Sequence, residues 1–404
     1  MIKVAIISIG NEILIGKTVN TNLTYLAEKL SLMGIDVDSS VTIKDEEEAI
    51  RENLSRFWKE YDIIFSTGGL GPTKDDITKK TIADFFEKEI KFSDKVFSRV
   101  KEHFKQRKIK MPNINYEQAE IPEDFTALKN PYGTAPGLFY KEVKKSLFIL
   151  PGVPHEMKAI FENEIVSLLY KYYKIREFFV KTIHTFGLPE SEIAERLEGI
   201  EDTDEVKLAF LPQQGRVDLR VYGSNKQQYE KLLNEIESKL ADNIWGYDDE
   251  SIIKKFHNLM IDKKLMFSIA ESCTGGLIQK MITNLPGASK YFLGGVVTYS
   301  NKSKERLVNV RKETLQKYGA VSEETAQEMV NGVRDLFDSN IAASVTGIAG
   351  PEGGTKEKPV GTVHIACLIK DKLHHKKLNL NGSRQLIRNK AAYQLLFLIM
   401  DNLD

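Results

Sequence analysis

A serine followed by two glycines is the clearest candidate for covalent chemistry in this sequence. The apolar run Leu265–Ala270 predicts a buried strand, and Glu271–Gly276 (Glu-Ser-Cys-Thr-Gly-Gly) follows it directly, before a helix pattern. A hydroxyl at such a strand-to-helix turn faces backbone N–H groups that could hold an oxyanion. We therefore predict Ser272 as an acyl nucleophile, with Thr274 as the alternative hydroxyl. The backbone N–H groups from Thr274 to Gly276 are the predicted oxyanion donors.

A lysine and a tyrosine after the next strand could serve this hydroxyl. Tyr299 ends the predicted strand Phe292–Tyr299, and Lys304 follows on the turn that leaves it. A lysine acts as a general base only if burial lowers its pKa, and a tyrosine could relay its proton or orient it. We predict Lys304 as the base and Tyr299 as its partner. The alternatives are a solvated helix lysine at position 304 and a helix N-cap at Ser272.

Glycines and arginines further along the chain predict a bound phosphate group near the same serine. The strand pattern Ile341–Thr346 enters a glycine-rich turn, Gly347–Gly354, which offers flexible backbone donors. Arg384 and Arg388 lie on one face of the predicted final helix, in its first two turns. Cations near a helix N-terminus oppose the helix dipole, and a bound anion would reverse that penalty. The alternative is a pair of ordinary surface arginines.

A second glycine loop, in the first half of the chain, combines phosphate-binding and metal-binding features. The strand pattern Asp62–Ser66 leads into Thr67–Asp76 (Thr-Gly-Gly-Leu-Gly-Pro-Thr-Lys-Asp-Asp), and a helix pattern follows. Glycine N–H groups and a helix N-terminus form a phosphate cradle, and the two adjacent carboxylates suggest a cation beside the phosphates. We predict a metal-bridged phosphate or pyrophosphate site. The alternative is an ordinary strand-to-helix turn with Asp76 as the N-cap.

The elements around this loop predict which other residues join it. Strand and helix patterns alternate from Val4 onwards as β-α-β-α-β, so the sheet should be mostly parallel. Ligands bind such sheets at the carboxyl ends of the strands, where Ser8–Glu12 and Asp45 also fall. Asp45 is in addition predicted to cap the next helix in a capping box with Glu48. His155 or Glu156, at the start of a later helix, could contact the ligand or simply favour the helix dipole.

Changes in pattern divide the chain into three predicted domains. Residues 1–173 and 249–404 each alternate strands and helices, whereas residues 174–248 give a β-α-β-β-α pattern without a chemical motif. The predicted fold class is α/β: two three-layer α/β domains with mostly parallel sheets, joined by a small α+β domain.

Composition limits the class of protein. The 404 residues include 57 basic and 57 acidic side chains, a formal net charge of +0, which argues against nucleic acid or an anionic membrane as the main partner. No apolar run approaches the length of a membrane span. Only Cys273 and Cys367 are present, so we expect no disulfide framework and predict a cytoplasmic location. The histidine spacing matches no zinc site.

Several long motifs together resemble the CinA family (competence/damage-inducible protein A). They are Gly10–Gly16, Thr67–Asp76, Pro151–Met157, Ala270–Gly276, Val297–Asn301 with Lys304, and Gly347–Gly354. They occur in the order and at the separation typical of that family, so the resemblance covers the whole chain.

For the first domain, the resemblance implies a molybdopterin-binding fold with metal-dependent ADP-ribose pyrophosphatase activity. Asp45 and Asp76 align with the loop acids that matter in related molybdopterin proteins. The implied cofactor is a divalent ion (Mg²⁺, Mn²⁺ or Co²⁺), held by Asp76 with Asp75 or Asp45, and K⁺ is a further candidate.

For the third domain, the resemblance implies a nicotinamide mononucleotide (NMN) amidohydrolase that needs no cofactor and yields nicotinate mononucleotide and ammonia. Ser272, Lys304 and Tyr299 match the serine, lysine and tyrosine of the expected catalytic set. The expected partners are NMN and ADP-ribose as small-molecule substrates and a second copy in a homodimer, with no direct nucleic acid and no membrane. The alternative is a non-catalytic nucleotide- or molybdopterin-binding regulatory protein linked to competence or DNA damage.

The predicted site residues fall into three groups by role. They are Ser272, Lys304, Tyr299, Thr274 and Asp76 as catalytic groups; Gly275, Gly276, Gly347, Gly350, Arg384, Arg388, Glu12, Gly68, Gly69, Gly71, Pro72 and Thr73 as substrate-binding groups; and Asp45, Asp75 and Asp76 as metal ligands.

Overall fold

The computed structural model describes residues 2–73, 76–200, 202–213 and 216–403. The chain divides into two compact units, Met1–Val180 with Gly223–Lys226, and Lys181–Tyr222 with Gln227–Asp404. The three-domain division at residues 173 and 248 stays a prediction. No described helix is both long enough and apolar enough to cross a membrane.

The first unit is built on a mixed sheet. Its strands are β1 (Val4–Ile9), β2 (Ser39–Ile43), β3 (Ile63–Thr67), β4 (Ile90–Phe92), β5 (Glu120–Pro122), β6 (Thr126–Leu128), β7 (Gly137–Glu142) and β8 (Lys145–Leu150). The sheet order is β2-β1-β3-β8-β7-β6, and β4 pairs separately with β5. Strands β2, β1, β3 and β8 run parallel, whereas β7 and β6 form an antiparallel edge. The loops predicted to bind ligand therefore leave the parallel strands at one edge.

Helices cover both faces of this sheet. They are α1 (Asn11–Leu14), α2 (Thr21–Leu32), α3 (Glu47–Glu60), α4 (Thr78–Phe85), α5 (Asp94–Gln106), α6 (Pro154–Ile160) and α7 (Val166–Tyr172). Alternate residues of β1 enter different cores: Ile7 packs in the core that includes α3, and Ile6 packs in the core that includes α2. This explains the continuous apolar run of β1, because a strand covered on both faces buries every side chain.

The second unit contains two sheets. The smaller has the order β10-β11-β9-β12, with β9 (Phe179–Thr185), β10 (Val206–Gln213), β11 (Arg216–Gly223) and β12 (Ile244–Tyr247). Its helices are α8 (Glu190–Arg196) and α9 (Lys226–Leu240).

The larger sheet has the order β14-β13-β15-β16-β17. Its strands are β13 (Phe267–Glu271), β14 (Phe292–Val297), β15 (Ile341–Gly347), β16 (Thr362–Ile369) and β17 (Lys372–Asn379). Strand β13 runs parallel to both neighbours, and β16 and β17 continue the sheet antiparallel. All three strands that lead into candidate site loops are thus parallel.

Helices again cover both faces. They are α10 (Ile252–Asp262), α11 (Leu277–Thr283), α12 (Asn301–Val308), α13 (Lys312–Tyr318), α14 (Glu323–Phe337) and α15 (Arg384–Met400). Ile269 of β13 packs in the core of α10, α11 and α15, whereas Ala270 packs in the core of α14. The predicted α/β fold class is confirmed.

Candidate functional sites

In the second unit, Lys304 and Ser272 form a buried pair. Lys304 Nζ lies 2.9 Å from Ser272 Oγ and donates a second hydrogen bond to the Thr298 carbonyl at 2.6 Å. Ser272 is 7% exposed and Lys304 only 1%. No carboxylate of the described chain forms an ion pair with this amine. Burial consequently lowers the pKa of Lys304 from 10.5 to about 8, which is the shift that a lysine base requires.

The start of α12 places this lysine. Ser300 is the N-cap and forms a capping box with Ser303, and the Lys304 N–H bonds the Ser300 carbonyl at 3.1 Å. Lys304 therefore lies at the first full turn of the helix, where its side chain reaches back towards Ser272. The structure does not support the alternative of a solvated lysine. It also excludes Ser272 as a helix cap, because the N-cap of α11 is Gly276.

Tyr299 is not hydrogen-bonded to this pair. The residue is 62% exposed, and its hydroxyl accepts a hydrogen bond from Arg384 Nη2 at 2.8 Å. Among the described residues it makes no hydrogen bond to Lys304 or Ser272. The predicted relay role therefore has no hydrogen bond to support it, and the direct contact of Lys304 with Ser272 makes a relay unnecessary.

The two arginines of α15 connect three loops. Arg384 donates to the Gly350 carbonyl at 2.6 Å as well as to Tyr299. Arg388 donates to the Thr274 carbonyl through Nε at 3.2 Å and Nη2 at 2.5 Å. Gly350 thus contributes a carbonyl here. Neither guanidinium is in an ion pair with a described carboxylate, so both keep a net positive charge beside the serine loop.

The carboxylate of Glu271 occupies part of the loop that was predicted to hold the oxyanion. Its buried carboxylate accepts from the N–H groups of Gly276 at 3.0 Å, Ile278 at 3.3 Å and Gln279 at 2.9 Å. The Gly275 N–H bonds the Ser272 carbonyl at 3.1 Å. The N–H groups of Gly275 and Gly276 are therefore occupied, and assigning them the oxyanion was wrong. The helix dipole favours a carboxylate at a helix N-terminus. The position of Glu271, just before Ser272 and the following helix, could therefore have predicted this contact from the sequence.

Thr274 keeps two unpaired donors in this loop. It is fully buried, and its hydroxyl has no hydrogen-bond partner among the described residues. Its backbone N–H likewise bonds no group of the described chain. An unpaired buried hydroxyl costs about 1–3 kcal/mol, so a ligand that accepts a hydrogen bond there would relieve that cost.

In the first unit, the loops at the carboxyl ends of the parallel strands border an open cavity of about 820 Å³. Its lining includes predicted site residues from three loops, namely Glu12, Asp45, Gly68, Gly69, Gly71, Pro72 and Asp76. Thr134, Ala135 and Glu156 line it too, although sequence reasoning gave Glu156 only an open role. Asp75 lies outside the described residues.

Packing requires two of the glycines in this loop. Gly68 and Gly69 have φ values of 109° and 65°, and a Cβ would overlap the Ile9 carbonyl oxygen at Gly68 and Thr78 Oγ1 at Gly69. The Gly68 N–H bonds the Leu150 carbonyl at 3.0 Å, so it belongs to the sheet edge and not to a phosphate cradle. The packing of the loop therefore accounts for glycine at positions 68 and 69 without a bound ligand.

Asp45 and Asp76 do not cap helices, contrary to the prediction for Asp45 and to the alternative given for Asp76. The N-cap of α3 is Glu46 and that of α4 is Ile77, and neither forms a side-chain cap. Asp45 precedes the cap position and lies against the Gly69 loop. Asp76 Oδ2 instead accepts from the N–H and hydroxyl of Thr73, at 3.0 and 2.5 Å. Thr73 therefore orients Asp76 within its own loop.

The acids fit a divalent ion only together with a phosphate. No cluster of three or more His, Cys, Asp or Glu side chains within the described ranges could hold a metal. Asp45, Asp76 and Glu12 nevertheless line one cavity with hard oxygen ligands. Mg²⁺ is usually bound by one or two carboxylates plus substrate phosphates and water. This donor set matches that mode and not a cage made of protein alone.

Three family models match consecutive parts of the chain. A probable molybdopterin binding domain matches residues 5–171. A damage-inducible protein CinA KH domain matches residues 180–246, and a CinA C-terminal domain matches residues 249–403.

Individual relatives are similar over almost the full length. A putative competence-damage inducible protein of Clostridium novyi is 39% identical over 401 residues, 98% of this chain and 97% of the relative. A CinA-like protein of Kosmotoga olearia is 40% identical over 397 residues, 96% of each chain. Among solved structures, competence/damage inducible protein CihA of Agrobacterium tumefaciens is 37% identical, with a TM-score of 0.36, and covers 38% of this chain and 96% of its own.

Proposed function

The chain belongs to the CinA family, and from that premise we propose that it is a hydrolase with two nucleotide sites. The site in the second unit deamidates NMN to nicotinate mononucleotide and ammonia. The observation that carries this proposal is the 2.9 Å contact between Ser272 and Lys304, which is buried and has no ion pair with a described carboxylate. A serine paired with a lysine of lowered pKa can act as an acyl-transfer nucleophile.

The reaction proceeds through an acyl-enzyme. Neutral Lys304 keeps one N–H on the Thr298 carbonyl and takes the proton of Ser272 directly. Ser272 Oγ bonds to the carboxamide carbon of NMN, and the Thr274 N–H and hydroxyl donate to the oxyanion. The C–N bond then breaks, and ammonia leaves with the proton that Lys304 returns. Water attacks the ester carbon while Lys304 accepts one of its protons. The C–Oγ bond then breaks, Lys304 returns the proton to Ser272 Oγ, and nicotinate mononucleotide leaves.

The arginines of α15 hold the 5′-phosphate in this proposal. Arg384 is exposed and donates hydrogen bonds to Gly350 and Tyr299. Because the guanidinium is accessible, a phosphate can compete with these two acceptors for its N–H groups. Arg388 is half-buried on the Thr274 carbonyl, and its first role is to position the serine loop. A guanidinium fork suits a phosphate well.

The first-unit cavity is the proposed ADP-ribose pyrophosphatase site, which would release AMP and ribose 5-phosphate. The cavity's size and its carboxylates beside a glycine loop favour this second activity. Asp76, with Asp45, would hold a divalent ion there, and the ion would polarise the pyrophosphate for attack by water. Thr73 keeps the Asp76 carboxylate in position. A homodimer is a further expectation from the family.

Direct assays test both activities. Purified protein is incubated with NMN and, separately, with ADP-ribose plus Mg²⁺, Mn²⁺ or Co²⁺, and products are identified by chromatography. We expect ammonia and nicotinate mononucleotide in the first case, and metal-dependent AMP in the second. Tight binding of either nucleotide without product would instead favour the non-catalytic sensor.

A further inference from the structure

Two exposed aromatic rings lie beside the first-unit cavity. Tyr132 lies in the turn before β7, and His155 lies in the first turn of α6. Their ring centroids are 5.8 Å apart at an interplanar angle of 55°. The neighbours of each residue line the cavity: Thr134 and Ala135 beside Tyr132, and Val153 and Glu156 beside His155. The two rings are not themselves among the lining residues and lie beside the cavity, as its outer rim.

The backbone beneath Tyr132 is fixed by one asparagine. Asn130 Oδ1 accepts from the N–H groups of Tyr132 at 3.0 Å and Gly133 at 2.9 Å. Its Nδ2 donates to the Ala135 carbonyl at 2.8 Å and to Glu156 Oε2 at 2.6 Å. Asn130 thereby ties the turn that carries Tyr132 to the helix that carries His155.

A second contact holds the same turn from outside. Arg107, the C-cap residue of α5, donates from Nη2 to the Tyr132 carbonyl at 3.0 Å. The Tyr132 side chain, in contrast, makes no hydrogen bond within the described part of the chain, and it is 54% exposed. A fixed backbone that presents an exposed ring at a cavity edge is the arrangement that stacks nucleobases.

The size of the cavity leaves room for a ligand larger than pyrophosphate. At about 820 Å³, the cavity falls in the range of pockets that enclose drug-sized ligands, about 300–1,000 Å³. The glycine loop and the carboxylates serve the phosphate part of a ligand. The aromatic rim, together with Glu156 as a hydrogen-bond acceptor, suits a flat heterocycle that carries an amino group.

We propose that Tyr132 and His155 form a nucleobase subsite, in which the adenine of an ADP-ribose-type nucleotide stacks on Tyr132 with His155 at its edge. This inference rests on the proposed function of the cavity. It assigns the specificity for a nucleotide over a simple pyrophosphate to these two rings. The phosphates and the reacting bond lie at the glycine loop, so the rings affect ligand binding and not the chemical step.

Tyr132→Leu in the full-length chain tests the subsite, with Tyr132→Phe and the exposed Tyr170→Leu as matched controls. Dissociation constants for ADP-ribose and inorganic pyrophosphate are measured by calorimetry, with Mg²⁺ and with EDTA. Loss of one base stack should weaken ADP-ribose binding by about tenfold. Pyrophosphate binding should not change, and both control variants should behave as wild type. In turnover, the KM for ADP-ribose should rise while kcat is unchanged.

The outcomes separate the subsite from the activity. The subsite proposal is overturned if Tyr132→Leu binds ADP-ribose with a dissociation constant within about twofold of the wild-type value. It is also overturned if the substitution weakens the binding of pyrophosphate as much as that of ADP-ribose. If the wild-type protein binds ADP-ribose but releases no AMP, the proposed hydrolysis is overturned. In that case a loss of ADP-ribose binding, but not of pyrophosphate binding, in Tyr132→Leu still supports the subsite. A chain that binds no ADP-ribose overturns both.

Discussion

The two candidate sites differ in how much of their chemistry the protein assembles without a ligand. In the second unit, Lys304 and Ser272 are already in contact and almost wholly buried. In the first unit, the acids line an open cavity, and Asp76 bonds within its own loop. The lysine base of this site is prepared by desolvation, because burial lowers the pKa of Lys304 before any substrate binds. A metal-bridged pyrophosphate site requires room for its substrate, because the phosphates complete the metal's ligands.

This difference shows where each site should be sensitive. The buried pair should depend on one amine and on its surroundings. The open cavity should depend on carboxylates whose effect appears only with metal and phosphate present. Each of the following predictions tests that contrast.

Replacing Lys304 by methionine should have the largest effect. Methionine keeps the volume of the buried side chain but removes the base, so ammonia release from NMN should fall by about 10²- to 10⁴-fold. The melting temperature should stay the same or rise, because a desolvated amine is lost. The exposed Lys302→Met, in the same helix, is the control. Turnover near the wild-type rate in Lys304→Met would refute the assignment of the base.

Replacing Asp76 by asparagine should affect only the first unit. Loss of one carboxylate charge should lower metal-dependent AMP release by about 10- to 100-fold, while deamidation is unchanged. Asp84→Asn, exposed on the neighbouring helix α4, is the matched control. If ammonia release fell in parallel in Asp76→Asn, the two activities would not belong to separate sites.

The pH profile of deamidation should report Lys304. Its pKa is lowered to about 8 by burial, and the base must be neutral. The kcat/KM for NMN should therefore rise about tenfold per pH unit up to about pH 8 and then level off. A profile that is flat or falls between pH 6.5 and 8 contradicts this.

The same shift has a consequence for stability. The unfolded chain binds the lysine proton up to about pH 10.4, whereas folded Lys304 loses it near 8. Between these values the unfolded state binds more protons, so the free energy of unfolding should rise with pH in wild type relative to Lys304→Met.

Replacing Arg384 by glutamine should have the smallest effect. Arg384 is exposed, and its proposed ligand is the phosphate, so the KM for NMN should rise by about tenfold with kcat little changed. Nicotinamide riboside, which lacks the phosphate, should show no comparable rise. An equal change for both substrates would mean that Arg384 acts through Tyr299 or Gly350, to which it is bonded.

Local patterns predicted much of the fold because they depend on neighbouring residues. The apolar run of β1 indicated a strand buried on both faces, and α15 begins at Arg384 with Arg388 one turn later, as the spacing indicated. Helix caps were less predictable. Asp45 and Glu48 have the sequence of a capping box, but the helix begins at Glu47 and Asp45 lies against the Gly69 loop.

The sequence by itself determined the α/β class, the loops that form the candidate sites and the residue types within them. Hydrophobic periodicity and glycine placement are local properties, and these features follow from them. Only the tertiary structure decided that Lys304 meets Ser272, that Glu271 occupies the N–H groups of the following helix, and that Tyr299 bonds Arg384. Desolvation and hydrogen-bond competition depend on segments distant in the chain, so the pKa of a lysine and the availability of an N–H group cannot be read from spacing alone.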